Sequence, residues 1–342
     1  MLTIAIFATL IFFLAINVPV AIAIGFTSVL FFIFLGESNF LVMFPNRMYY
    51  GTTGFTLLAI PFFIFAGNIM NFGGITNRIF AFAKALVGHI PGGIGQVNIL
   101  ASIIFSGMSG SSVADAAGIG RIEHKAMVDD GYDPVVSASL VASSSIIGPI
   151  IPPSICFVLY GAITGVSVAR LFLAGFVPGI LIGIGLMLAL GFMAKKYHYP
   201  TAPKMAPPSE LWLSFRRAFW PLLAPVIIIG GIMSGFFTPT EASVVVCLYA
   251  IILGFAYKDL TLKDLPQIMF ASIKQSVGLL FIMAAAGFFG WLTIHQKLPD
   301  SIITGLLTMG ATTTGVLLII IVVILIMGCF LDGNAIFMIT LP

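Results

Sequence analysis

Apolar runs of about 17 to 20 residues recur along the whole chain, the length at which a helix matches the hydrocarbon thickness of a bilayer. They predict membrane helices near 2–16, 19–35, 55–71, 134–160, 170–194, 220–236, 241–256 and 266–292. No polar stretch between them is long enough to fold alone, so the chain reads as an all-α polytopic membrane protein. The first run has no basic residue before it and no small-residue cleavage site after it, so it reads as a short span and not as a removable leader.

Three places break this pattern. The stretch 93–128 has arms too short and too rich in Gly and Ser for two spans, and both of its ends carry cytoplasmic signals, Lys84 ahead of the first arm and Arg121 and Lys125 in the second. It reads as a re-entrant helical hairpin whose tip is "FSGMSGSSVADAAG", residues 105–118. Such a tip leaves backbone groups without helical partners, which is tolerated at membrane depth only where protein or a watery cavity satisfies them. The second break is "SSSIIGPIIPPSI" (143–155), which places Gly148, Pro149, Pro152 and Pro153 inside a predicted span. Each proline removes a donor and interrupts helical bonding. The third is "GCFLDGNA" (328–335), where an apolar run stops at glycines beside polar side chains.

The first and third breaks are related by an internal repeat. Residues 61–88 and 283–310 share an apolar run, a Gly-containing bend and an amphipathic tail at an offset of 222, and the same offset carries Gly107–Gly110 onto Cys329–Asp332. With the topology below, the two units have opposite orientations, an arrangement characteristic of secondary transporters with a midplane site. The first unit runs on through Lys195, whose counterpart lies near 417, so the 342 residues are expected to be part of a protein of roughly 420.

Charge sets the orientation. Of the 342 residues 60% are hydrophobic and only 8% charged, and the net charge of +3 is concentrated in loops. Basic residues collect at Arg78 and Lys84, at Arg121 and Lys125, at Lys195 to Arg217, and at Lys258 and Lys263, which places these regions in the cytoplasm and the N-terminus outside. The Pro-rich segment 195–217 then reads as a cytoplasmic loop dividing the chain. Cys156, Cys247 and Cys329 are widely spaced within apolar runs, the pattern of buried thiols and not of a disulfide or metal framework.

Candidate chemistry concentrates at the breaks. Ser112 and Asp115 have the spacing of a helix N-cap with an acid at N3, a purely structural role. Broken-helix tips also expose carbonyls and hydroxyls, hard oxygen ligands suited to a dehydrated Na⁺, with Asp115 as a nearby negative charge. An Asp at this depth costs about 2.5 to 3.5 kcal/mol on insertion scales, so a merely decorative Asp115 is disfavoured. The span broken by Gly148, Pro149, Pro152, Pro153 and Ser154 is either a kink satisfied by neighbouring helices or a second unwound segment facing the tip. In "FFTPTEAS" (236–243), Thr238, Pro239 and Glu241 form a capping box with proline at N1 and are read as structural. Arg47 and Arg170 sit near span ends where snorkelling accounts for them. His89, His124, His198 and His295 lie at span ends or in loops without metal-ligand spacing. Gly107-Met108-Ser109-Gly110 matches the G-x-S-G around the nucleophile of rhomboid-type intramembrane proteases, but such a serine needs a base within reach and no histidine falls at membrane depth.

With "LLAIPFFIFAGNIM" (57–70), "FSGMSGSSVADAAGIG" (105–120), "GPIIPPSI" (148–155), "LFLAGFVPGILIG" (171–183) and "TPTEA" (238–242), the chain resembles the large membrane subunit of the tripartite ATP-independent periplasmic (TRAP) transporters. That resemblance implies a bacterial inner-membrane, Na⁺-coupled importer of carboxylates, of the sialic-acid or C4-dicarboxylate class, working by an elevator motion. It implies two partners, a small membrane subunit and a periplasmic substrate-binding protein, and no cofactor beyond the coupling ion. Carried onto this sequence, ion and substrate ligands come from Ser106, Ser109, Gly110, Ser111, Ser112 and Asp115, from Gly148, Pro149, Pro152, Pro153 and Ser154, and from Gly328, Asp332, Gly333 and Asn334. Sodium is expected at Ser109, Gly110, Asp115, Asp332 and Gly333. On this reading residues 1–54 are scaffold helices, 55–194 the first transport repeat, 195–265 the cytoplasmic loop with further scaffold helices, and 266–342 an incomplete second repeat with its hairpin from about 312. A uniporter or channel, and a Na⁺ transporter that needs no binding protein, remain as alternatives.

Overall fold

The computed structural model describes residues 2–201, 204–308, 312–329, 331 and 333–341. Among them there are α-helices and short 3-10 turns and no strand. Five helical stretches are long and apolar enough to cross a membrane by length and composition: Phe55–Phe72, Val168–Tyr197, Pro208–Met233, Pro239–Ala256 and Leu265–His295. The chain divides into two contact units, one formed by 1–54 with 276–342 and the other by 55–275.

In the first unit, α1 (Leu2–Ala15) and α2 (Val20–Phe34) form an antiparallel pair, since only Ile16 to Pro19 separate them. The short α3 (Met43–Tyr50) follows a 3-10 turn over Ser38–Val42. The core gathers Ile6, Leu10, Ile24 and Phe32 with Phe288, Phe289 and Leu292 from the C-terminal part of a later helix. Around it Trp291 stacks on Phe32 at 5.0 Å, and the Arg47 guanidinium lies 5.4 Å from the Trp291 ring. His295 stands 3.4 Å from the Glu37 carboxylate, which also accepts from Gln296 at 3.0 Å.

The second unit opens with α4 (Ala59–Phe72) and α5 (Ile75–Val87), joined at Gly73 and Gly74. Then come α6 (Gly93–Ser109), α7 (Ser112–Ala117), α8 (Ile119–Asp129), α9 (Pro134–Ser145), α10 (Ile155–Thr164), α11 (Val168–Tyr197), α12 (Pro208–Met233) and α13 (Pro239–Ala256). Helix α4 packs along α13, where the Cys247 thiol donates to the Phe62 carbonyl at 2.9 Å. Helix α5 lies between α6 and α12. The capping box at α13 forms: the Thr238 hydroxyl accepts from the Glu241 amide at 3.3 Å, and the Glu241 carboxylate accepts from the Thr238 amide at 2.7 Å.

Helix α14 (Leu265–His295) has 31 residues, or ~46 Å at 1.5 Å per residue, enough to exceed the apolar thickness of a bilayer. It is followed by α15 (Leu298–Thr308), α16 (Thr313–Gly328) and α17 (Gly333–Thr340). Ten consecutive apolar residues of α16, Leu317 to Ile326, are all exposed, as expected of a surface that faces lipid and not water.

The element boundaries follow the 222-residue repeat. Shifted by that offset, the end of α4 at Phe72 falls on 294 and α14 ends at His295; α5 falls on 297–309 against α15 at Leu298–Thr308; α6 falls on 315–331 against α16 at Thr313–Gly328; and α7 falls on 334–339 against α17 at Gly333–Thr340.

Three expectations need adjustment. The span expected from 220 begins at Pro208, because Pro207 and Pro208 supply an extended cap and a preset first turn while Ser209, Glu210 and Ser214 give the helix a polar start, so the connection shrinks to 198–207. The helix after the hairpin tip starts at Ser112 and not beyond it, so Ser111 holds the preceding position and Asp115 is the fourth helical residue, its amide bonded to the Ser111 carbonyl at 3.0 Å. Cys156 and Cys247 are buried as expected, but Cys329 is exposed in the connection after α16.

Candidate functional site

The chain reverses after α6, and α8 returns to pack against it. The reversal is made at Gly110, which adopts the left-handed φ of +62° and donates to the Ser106 carbonyl at 3.4 Å. A Cβ at this position would stand 2.5 Å from the Pro153 carbonyl oxygen, so the site needs glycine for its turn and again for its closeness to a neighbouring backbone.

That neighbour is the break in the span 134–160. Helix α9 stops at Ser145, α10 starts at Ile155, and residues 146–154 run between them without α-helical structure. The local cause is the sequence Gly148-Pro149 followed by Pro152-Pro153, since prolines remove the donors that would continue α9. Ser154 ends the break. Its hydroxyl donates back to the Pro149 carbonyl and accepts from the Phe157 amide at 3.2 Å, capping α10.

Hairpin tip and break are joined directly: the Ile155 amide donates to the Gly110 carbonyl at 3.3 Å. A second contact lies at Gly148, where a Cβ would stand 2.5 Å from Asp115 Oδ2 and 3.2 Å from the Ser111 carbonyl carbon. A third lies at Gly107, where it would stand 3.5 Å from the Pro152 carbonyl oxygen. Glycine on both sides therefore lets two non-helical backbones and one carboxylate come together.

The structure brings Gly107, Gly110, Ser111 and Asp115 beside Gly148, Pro152 and Pro153, with Ser154 next along the break, while Ser106 sits one turn before Gly110 within α6. Ser106, Asp115 and Ser154 are each at most 1% exposed, and the Ser106 hydroxyl donates to the Ile103 carbonyl at 2.8 Å. Ser112 and Pro149 are half-buried. Gly328 ends α16, and Gly333 and Asn334 open α17, which packs on α16; Gly328 and Gly333 are exposed and Asn334 is half-buried. Asp332 and the side chain of Ser109 lie outside the described residues. Arg47 belongs to the aromatic cluster of α3 and α14, and His124 is bonded to the Ser137 hydroxyl at 2.8 Å.

The groups collected at the tip are a carboxylate, hydroxyls and peptide carbonyls, with neither sulfur nor imidazole among the named contacts. Such oxygen donors suit a hard cation, and broken helices offer them without a helical partner to compete. Two buried residues lower in the hairpin, Asn98 and Glu123, were not singled out from the sequence. The only signal for them was a polar residue on an otherwise apolar helix face, and it appears only when the return path of the hairpin is known.

A sequence profile of the family described as "Tripartite ATP-independent periplasmic transporter, DctM component" matches residues 7–342. The chain belongs to this family. It is 42% identical over 327 residues to the sialic acid TRAP transporter large permease protein SiaM of Vibrio cholerae, covering 95% of this chain and 76% of that protein. It is 42% identical over 328 residues to the sialic acid TRAP transporter permease protein SiaT of Haemophilus influenzae, covering 96% of this chain and 53% of that one. The C4-dicarboxylate TRAP transporter large permease protein DctM of Pseudomonas aeruginosa is 40% identical over 290 residues, 84% of this chain and 67% of its own length. The chain thus spans about half the length of one such relative and three quarters of another. Like these large permeases, it is a multi-pass membrane protein of a non-enzymatic family.

Proposed function

We propose that the chain is the main membrane component of a Na⁺-coupled importer for a small carboxylate, and that the joined hairpin tip and proline break hold the coupling ion. The observation that carries this reading is the Gly110–Ile155 bond, which puts two non-helical backbones and the buried Asp115 at one place. Peptide carbonyls of the tip and break, with the Asp115 carboxylate, can replace the hydration shell of Na⁺. Sodium is cargo here, moved down its gradient.

The energetics fit. At ~100 mV inside negative, one entering cation gains about 2.3 kcal/mol, and a tenfold gradient adds ~1.4 kcal/mol. Two ions supply roughly 7 kcal/mol, and moving one carboxylate against the potential costs about 2.3 kcal/mol. The remaining ~5 kcal/mol sustains a concentration ratio above about a thousandfold. Nucleotide hydrolysis is not needed.

Relatives named for sialic acid and for C4-dicarboxylates support a substrate among acidic metabolites, and sialic acid is the first to test because the two sialic acid permeases are matched over the larger share of this chain, 95% and 96% against 84%. On this reading the chain works in the bacterial inner membrane with its N-terminus in the periplasm. A small membrane subunit supports it, a periplasmic binding protein delivers the substrate, and the hairpin-bearing part moves as an elevator. The test is uptake of labelled sialic acid into proteoliposomes containing the complete transporter. Accumulation that requires both an inward Na⁺ gradient and the loaded binding protein is expected. Accumulation indifferent to Na⁺ overturns the coupling, and uptake of free substrate without the binding protein overturns the tripartite delivery.

A further inference from the structure

The hairpin holds a second buried polar group that the ion site does not use. Asn98 on α6 is 0% exposed and Glu123 on α8 is 1% exposed. The Asn98 Nδ2 amide donates to Glu123 Oε2, tying the two arms together 25 residues apart in sequence. The other oxygen of each side chain, Asn98 Oδ1 and Glu123 Oε1, is buried with no hydrogen-bond partner among the described residues.

Two buried acceptors on side chains already bonded to each other need a donor, and an ionised carboxylate has none to offer. A carboxylic acid and a carboxamide, by contrast, are self-complementary: the amide N–H donates to one carboxyl oxygen, and the acid O–H donates to the amide oxygen. One proton would satisfy both orphaned atoms. A metal ion fits less well, because Na⁺ or Ca²⁺ asks for about six oxygens and two are in need here.

The surroundings agree. The elements packed against α8 are α6, α7 and α9. The first contributes Asn98 and the second contributes Asp115, a buried carboxyl whose charge would repel an ionised Glu123. The third contributes Ser137, which takes the His124 imidazole at 2.8 Å. On α8 itself Arg121 and Lys125 are exposed. Glu123 takes no part in the ion pairs of Arg78 with Asp259 and of His295 with Glu37.

We propose that Glu123 is a proton-binding site: it carries a proton at neutral pH and closes the base of the hairpin as a carboxylic acid paired with the Asn98 carboxamide. The proton lets a polar helix arm pack against α6 as a neutral group. The pairing is a structural staple between the two arms, formed by residues other than those assigned to the ion site.

The experiment uses the purified full chain and infrared spectroscopy of the protonated carboxyl stretch, with Glu123→Gln, Glu123→Ala and Asp115→Asn. At neutral pH the wild type is expected to show a deuterium-sensitive carboxyl band that is missing from Glu123→Gln and retained in Asp115→Asn. Melting temperature gives a second reading. Glu123→Gln, which offers one donor and one acceptor in the same places, is expected to match or exceed the wild type, with the gap widening as pH rises, while Glu123→Ala melts lower. Identical spectra for wild type and Glu123→Gln overturn the proposal. So does a Glu123→Gln protein that fails to fold or melts well below wild type, or a wild-type melting temperature that rises with Na⁺ or K⁺ only while Glu123 is present, which would assign the pair to a cation.

Discussion

The Ile155 amide donates to the Gly110 carbonyl across 3.3 Å, so the first backbone donor of α10 is satisfied by the turn of a hairpin 45 residues earlier. A helix start ordinarily leaves several donors unmet. Here one of them locks two irregular segments in register, and the lock depends on glycine. Gly110→Ala forces a left-handed alanine, a strain of roughly 1 to 2 kcal/mol, and drives a Cβ to within 2.5 Å of the Pro153 oxygen. The expected outcome is a protein at least ~1 kcal/mol less stable that has lost uptake. Thermal unfolding and proteoliposome transport measure the two effects. Unchanged values in both would disconnect the turn from the break.

The positions of most helices were legible because each spanning segment carries its own length and composition, and the interruption between α9 and α10 was legible because proline acts locally. The capping box at Thr238 and Glu241 was readable for the same reason, as a pattern contained in four residues. The Asn98–Glu123 pair was not, because it connects two arms whose packing register follows from the turn at Gly110 and the non-helical Gly118 between α7 and α8. Nor could the sequence reveal that Arg47 lies over Trp291, a contact between residues 244 positions apart. At the tip, residue types suggested oxygen chemistry, while the approach of Gly148 to Asp115 required the three-dimensional path.

Thr238 caps α13 through its hydroxyl, and Glu241 answers through its carboxylate. Thr238→Ala is expected to lower stability by about 1 kcal/mol without altering the Na⁺ dependence of uptake, since the box lies on a helix start apart from the hairpin tip. Denaturation together with a Na⁺ titration checks both halves. A shift in Na⁺ dependence would mean that this motif takes part in coupling.

Arg78 makes three contacts: an ion pair with Asp259 at 2.6 Å, a bond to the Gly74 carbonyl at 2.9 Å, and a guanidinium lying 3.9 Å from the Tyr257 ring centroid. The ion pair is partly exposed, so Asp259→Asn is expected to cost less than ~1 kcal/mol. Arg78→Ala removes the stacking and the carbonyl bond as well, and should cost more, roughly 1 to 2 kcal/mol. Comparing the two variants by thermal unfolding at low and high salt tests the ranking, because only the ion-pair part is screened.

Asp264 accepts from the Thr261 hydroxyl at 2.6 Å and the Thr261 amide at 2.8 Å, and these bonds, the hydroxyl foremost, hold its carboxyl below the usual range. A carboxyl depressed in the folded state contributes stability that is present above its unfolded pKa and is lost as pH falls through its folded pKa. Acidification toward that lower value should therefore weaken the turn before α14 in the wild type and leave Asp264→Asn less affected. Melting temperatures of the pair followed from neutral to acidic pH give the comparison, with parallel curves counting against the assignment.

Asp115 bears most directly on the proposed coupling. It is 1% exposed and lies against Gly148 at the joined tip and break, so its charge acts where solvent screening is weak. If its carboxylate helps to hold Na⁺, Asp115→Asn removes a charged ligand and keeps the shape. A charge-assisted contact contributes about 1.5 to 3 kcal/mol, so the Na⁺ concentration for half-maximal uptake should rise roughly ten- to a hundredfold. Asp115→Glu keeps the charge, but its extra methylene must fit beside Gly148, and the smaller defect expected of it should lie in transport rate more than in Na⁺ affinity. Sodium titrations of uptake for both variants, with folding checked by thermal unfolding, separate these effects. An Asp115→Asn protein that is stable and has wild-type Na⁺ affinity would leave Asp115 a helix-start residue and return the ion to the backbone carbonyls alone.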